Sequence, residues 1–245
     1  EAKQSVWQIL PVGPTSYGDS PYQSFSTFAG NPYFIDLHML VKDGLLLDSE
    51  LIGIDWGTDP RHVDYEKLYF SRMTVLSKAA ERGLAREDAE FTAFLHNNGR
   101  WLSDYALFSA VKKHFGMAAW NEWDDDIRLR RPEAVKHYSD MLAEDIEIYE
   151  YIQYLFYRQW DMLRSYAHSR GISILGGLPI YVAYDSADVW SESEFFLLDE
   201  EKLPTAVAGV PPDYFCKDGQ LWGNPLYDYD AMRRDGYGWW ILRID

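Results

Sequence analysis

One apolar stripe constrains this chain more than any other feature. Val135, Tyr138, Leu142, Ile146, Tyr149, Ile152, Phe156, Trp160, Leu163 and Ala167 are separated only by threes and fours. Side chains at those intervals share one face of an α-helix, because a turn takes 3.6 residues. Pro132 suits a first helical position, where a missing N–H costs nothing, and Gly171 supplies a stop. A single helix over the roughly 38 residues from 133 to 170 would run about 57 Å at 1.5 Å per residue. That outreaches a compact domain, so the stripe predicts a break or bend within it. The rest of 60–170 also reads as helical, with Leu102, Ala106, Phe108, Val111 and Phe115 near helical spacing before Gly116.

Two strand candidates flank this helical stretch. Val6-Trp7-Gln8-Ile9-Leu10 is short, apolar and stopped by Pro11, and Ile172-Ser173-Ile174-Leu175 follows Gly171 at once. Their spans, Ser5–Pro11 and Ile172–Val182, predict central strands buried on both faces. Strand, helical excursion and strand make a βαβ unit, which builds a parallel sheet and binds ligands beyond the strands' carboxyl ends. Both the loop at 11–34, rich in Pro, Gly, Ser and Thr, and the segment 179–190 lie at such ends. From 191 to 236 the chain reads as loop-rich, and Ala231–Asp245 as the start of a helix.

Composition narrows the function. The net charge of −16 leaves no basic surplus to displace counterions from a phosphate backbone, so a nucleic-acid partner is not expected. No run of about 18 apolar residues is present, so no membrane partner is expected. Cys216 is the single cysteine, which excludes an intrachain disulfide framework. The first residues, Glu1-Ala2-Lys3-Gln4, carry no signal-peptide pattern, so a soluble, cytoplasmic protein is expected. The six histidines show no paired metal spacing and no dinucleotide or Walker glycine pattern occurs, so no metal or cofactor is expected. Aromatic residues reach 16%, with ten Trp and eighteen Tyr. They suit either a large aromatic core or a carbohydrate cleft whose rings meet the apolar faces of sugars.

Several uncommon strings then occur in one order. They are Trp7-Gln8-Ile9-Leu10-Pro11 with Gly18-Asp19-Ser20-Pro21-Tyr22-Gln23-Ser24-Phe25; Leu178-Pro179-Ile180-Tyr181-Val182-Ala183 with Asp185-Ser186-Ala187-Asp188-Val189-Trp190; Gly209 through Phe215; and Trp222-Gly223-Asn224-Pro225-Leu226-Tyr227. In these strings the chain resembles amylomaltase, the 4-α-glucanotransferase or disproportionating enzyme of the α-amylase clan. The resemblance implies an α/β fold, an incomplete (β/α)₈ TIM barrel with a large helical insertion between two barrel strands. On that basis 1–59 holds a barrel strand and substrate loop, 60–170 the helical insertion, and 171–245 a barrel strand, a lid loop and the start of the next helix.

The resemblance implies transfer of α-1,4-glucan segments between malto-oligosaccharides by retaining double displacement. A carboxylate attacks the anomeric carbon while a carboxylic acid protonates the leaving oxygen, and that residue then activates the acceptor hydroxyl. Carried over by position, Asp213, Tyr214 and Phe215 fall on a mobile lid loop and Trp222 on the acceptor side. Ser20 and Tyr22 fall on the donor side, and Tyr17 in a secondary glucan groove. Ordinary packing is the alternative for each aromatic.

Two departures qualify this. The family's typical length is about twice this chain, and its catalytic carboxylates lie on later strands, so no catalytic residue is assigned here. Arg243-Ile244-Asp245 has the look of the family's Arg-x-Asp nucleophile motif, but Trp239-Trp240-Ile241 opens a helix well before that strand. Gly177 stands where the family has an Asp. The chain is therefore expected to be inactive alone. The alternatives are a non-catalytic glucan-binding protein and a truncated product without function. Unpaired barrel edges predict self-association, or a second chain that supplies the missing strands.

Overall fold

The computed structural model describes residues 3–59 and 61–244. The side chain of Tyr17 and all of Asp245 lie outside the described residues, and the expectations that rest on them with it.

Strand β1 (Val6–Gln8) pairs in parallel with β2 (Ser173–Leu175), Trp7 opposite Ile174. The pair is the expected βαβ unit, but each strand is only three residues long and largely exposed. A strand buried on both faces needs neighbours at both edges, and among the described residues β1 and β2 have only each other. No closed barrel is present among the described residues, so the fold is mixed helix and sheet.

Between the strands run α1 (Leu37–Lys42), α2 (Tyr65–Leu84), α3 (Ala89–His114), α4 (Asp125–Arg128), α5 (Pro132–Met141) and α6 (Ala143–Ser169). The long stripe breaks at Leu142, whose φ of −109° and ψ of 21° leave the helical region. Helix α6 closes with Gly171 N–H donating to His168 O and Ile172 N–H to Ala167 O, a Schellman ending that delivers the chain straight into β2. Asp64 and Asp88 cap α2 and α3 by accepting first-turn N–H groups.

After β2 come α7 (Ala187–Ser191), β3 (Val207–Val210), β4 (Gln220–Pro225), α8 (Tyr229–Arg234) and α9 (Gly238–Ile244). Strands β3 and β4 form an antiparallel hairpin inside the stretch that the sequence reads as loop. Gly209, Gly223, Pro211, Pro212 and Pro225 mask the alternation that usually betrays strands.

Two aromatic-rich cores hold the molecule together. One gathers Phe108, Trp120, Trp123, Trp190 and Tyr227, and the other packs Leu40, Leu76, Tyr151 and Leu155. The 11–34 loop is anchored by Gln153 of α6, which is fully buried. Its Oε1 accepts Gly30 N–H at 2.8 Å and its Nε2 donates to Gly30 O at 3.0 Å. Phe28 stacks on Trp101 at 6.1 Å, so part of the loop's aromatic content is packing. A Cβ on Gly30 would lie 1.9 Å from the Phe156 ring, so only glycine lets the loop approach α6 this closely.

Candidate functional site: an uncharged aromatic cleft

A cleft of about 570 Å³ opens at the carboxyl ends of β1 and β2. One wall is the 11–34 loop, with Ser20, Tyr22 and Gln23; the second is the 178–183 segment, of which residues 178–181 line the cleft; the third is β4, with Gln220, Trp222 and Asn224. The structure thus brings Ser20, Tyr22 and Trp222 together from residues about 200 positions apart. A neighbouring cavity of about 210 Å³ shares Tyr22, Leu178, Pro179 and Tyr181 and runs inward toward Phe156 and Trp160.

Tyr22 is 52% exposed and free to meet a ligand. Ser20 Oγ accepts Tyr22 N–H at 3.2 Å, which fixes the turn that presents the ring. Trp222 is half-exposed; its Nε1 donates to Gln220 Oε1 at 3.0 Å, and its ring centroid lies 6.2 Å from that of Tyr181. Tyr181 in turn stacks on the buried Tyr227 at 6.1 Å. Gln23 Nε2 donates to Asn224 Oδ1 at 3.1 Å, and Asn224 Nδ2 donates to Val182 O at 2.7 Å. One buried asparagine therefore links all three walls.

The hairpin tip is separate from this cleft. Tyr214 and Phe215 are 99% and 89% exposed, edge-to-face at 5.7 Å, and neither they nor Asp213 line the cavity. Asp213 Oδ1 accepts N–H groups from Phe215 and Cys216 at 2.9 and 2.8 Å, so its carboxylate shapes the tip. Gly219 closes the tip with φ +72°, and a Cβ there would sit 2.5 Å from Val210 O.

The surrounding motif residues are scaffold. Asp185 holds the buried Lys112 at 2.6 Å, Ser186 caps α7, and Asp188 accepts both N–H and Oγ1–H of Thr27, at 2.9 and 2.6 Å. Burial pushes the Asp188 carboxyl up, while those Thr27 bonds pull it back down. Arg243 lies in α9, donates to Pro179 O, and places its guanidinium carbon 4.9 Å from the Trp240 ring centroid. It belongs to the support of the cleft wall. At Gly177 a Cβ would meet Pro11 Cδ at 3.2 Å, so a side chain enters there only if Pro11 gives by a few tenths of an ångström.

Among the described residues no carboxylate lines the cleft. Its polar groups are hydroxyls and amides, its flat groups are aromatic, and its donors and acceptors carry no net charge. That set matches a neutral polyhydroxylated ligand and lacks the carboxylate pair that glycosidic cleavage needs.

A family model described as 4-alpha-glucanotransferase matches residues 1–245. The chain belongs to the 4-alpha-glucanotransferase family. It is 48% identical over 244 residues to the 4-alpha-glucanotransferase of Streptococcus pneumoniae serotype 4, covering 99% of this chain and 48% of the relative. Against the Clostridium butyricum 4-alpha-glucanotransferase it is 45% identical over 245 residues, covering 100% and 50%. The amylomaltase from Streptococcus agalactiae, solved in complex with acarbose, superposes with a TM-score of 0.94 at 46% identity, covering 98% of this chain and 49% of that one. The chain spans about half the length of the curated relatives it matches.

Sequence reasoning missed Gln23, Tyr181, Gln220 and Asn224 as cleft residues. Gln23, Tyr181 and Asn224 stand inside quoted strings and Gln220 lies between two of them, but an amide shows its role only once its partner is known, and the Gln23 and Asn224 pair is 201 positions apart.

Proposed function

We propose that this chain carries the malto-oligosaccharide-binding part of a 4-α-glucanotransferase site and does not turn over glucan by itself. The observation that carries this is the cleft's lining: Tyr22, Tyr181 and Trp222 among uncharged hydroxyls and amides, with no carboxylate among the described residues. The complex of the Streptococcus agalactiae relative with acarbose supports a sugar-like occupant. In this reading Ser20 and Tyr22 hold the donor side and Trp222 the acceptor side. Asp213, Tyr214 and Phe215 form the lid, and Tyr17 lies in a secondary groove. Residues 60–170 are the insertion that braces these loops.

Double displacement needs a nucleophilic carboxylate and an acid/base carboxyl about 5–5.5 Å apart. In this reading both come from strands outside this chain, which would complete a barrel begun by β1 and β2. The residues present here would orient the glucan and shield the glycosyl intermediate from water, so that a sugar hydroxyl takes it instead. A cytoplasmic role in starch or maltose metabolism belongs to the same proposal. Among the described residues no helix is long and apolar enough to cross a membrane.

Incubation of the purified chain with maltotriose tests the claim. Neither glucose nor longer maltodextrins should form, and steady disproportionation by a contaminant-free sample would overturn it. The same cleft also favours a second reading, a glucan-binding protein that never meets a catalytic half. Recovery of transfer on adding the other half of a relative's chain separates the two.

A further inference from the structure

The 178–183 wall of the cleft lies in no strand or helix. Among the described residues, none of its backbone groups pairs with another backbone group. Val182 and Ala183 are buried, and Val182 packs the far end of the segment onto the first core, but Leu178 and Ile180 are exposed, so packing does little to hold its near end. That near end would be expected to move.

Three of its carbonyls are nevertheless taken, all by side chains from the C-terminal region. Asn224 Nδ2 of β4 donates to Val182 O at 2.7 Å, the Tyr227 hydroxyl to Ile180 O at 2.7 Å, and the Arg243 guanidinium of α9 to Pro179 O. All three donors are more than nine-tenths buried. They are tied together as well, since Arg243 Nη1 reaches the Tyr227 hydroxyl at 3.5 Å.

We propose that Asn224, Tyr227 and Arg243 are positioning residues, a three-point strap that fixes the 178–183 wall and so sets Tyr181 against Trp222 and Tyr22. This rests on the sugar-binding reading only for its consequence, since the strap itself needs no ligand. Tyr227 and Arg243 do not line the cleft, so any effect they have on binding passes through the wall.

Amide ¹⁵N relaxation and maltoheptaose calorimetry on the wild type and two variants test this. Tyr227→Phe removes one hydroxyl and keeps the ring. Asn224→Asp keeps size and the acceptor for Gln23, yet its carboxylate cannot donate to Val182 O. Order parameters at Ile180, Tyr181 and Val182 should fall from about 0.85 to below about 0.6 in each variant, with α3 and α6 unchanged. Maltoheptaose affinity should drop roughly three- to tenfold. Unchanged order parameters overturn the strap. A loosened wall with undiminished affinity overturns its positioning role. A wild type that binds no maltoheptaose overturns the sugar reading instead, and the order parameters alone then decide the strap.

Discussion

The side-chain amides of Gln23 and Asn224 face each other across the cleft, with Gln23 Nε2 donating to Asn224 Oδ1 at 3.1 Å although 201 positions separate them. That bond ties the 11–34 loop to the hairpin. A neutral hydrogen bond of this kind contributes about 1 kcal/mol net, and its loss leaves a buried Asn224 oxygen without a partner. Gln23→Ala should therefore lower the melting temperature by about 2–4 °C for a chain of this size. An unchanged melt would show that the two amides merely lie near one another.

Gly30 makes a sharper prediction for stability. A Cβ there would overlap the buried Phe156 ring, so Gly30→Ala must push the loop off α6 or force Phe156 from its rotamer. Overpacking of this sort costs about 1–3 kcal/mol. The loop also loses its grip on Gln153, so glucan affinity should fall with stability. Denaturant titration checks the first and calorimetry the second.

Glu150 sets a pH dependence. Burial, with Glu147 adding like charge, raises its carboxyl from an ordinary 4.5 to about 7. A folded-state value above the unfolded one means that the neutral form is preferred in the fold. Stability from this group is therefore full below about pH 4.5 and lost as the pH rises through about 7. Glu150→Gln should raise the melting temperature at pH 8 by about 2–4 °C after allowance for solvent screening, and change it little at pH 4.5. A gain of equal size at both pH values would contradict the assignment.

The exposed sheet makes a prediction about association. Val6, Leu10, Leu175 and Ile180 are all more than half exposed, and β1 and β2 each have one unpaired edge among the described residues. Apolar parallel strands with open edges recruit further strands. Sedimentation at micromolar concentration should show oligomers. A monodisperse monomer would mean that this edge is protected.

Much of this was legible in the sequence. The stripe from Val135 to Ala167 fixed both helices and required the break that falls at Leu142. Gly171 marked the turn into β2, and the flanking apolar segments paired as expected. Ser20, Tyr22 and Trp222 meet in one cleft. The β3–β4 hairpin was hidden because its glycines and prolines resemble loop composition. Asp213 could be placed on a loop but not given its work at the hairpin tip, since an Asx turn is made with the residue's own neighbours and leaves no long-range pattern. The strap on Pro179, Ile180 and Val182 was beyond sequence reasoning, because carbonyl acceptors carry no residue identity.

Calorimetric titration of maltoheptaose into the wild-type chain and into Trp222→Ala tests the central claim most directly. Ring-to-sugar stacking contributes roughly 0.5–1.5 kcal/mol beyond buried area, so the account predicts saturable binding by the wild type and an affinity about two- to tenfold weaker in the variant. No saturable heat from the wild type, or the same affinity in both proteins, would contradict it.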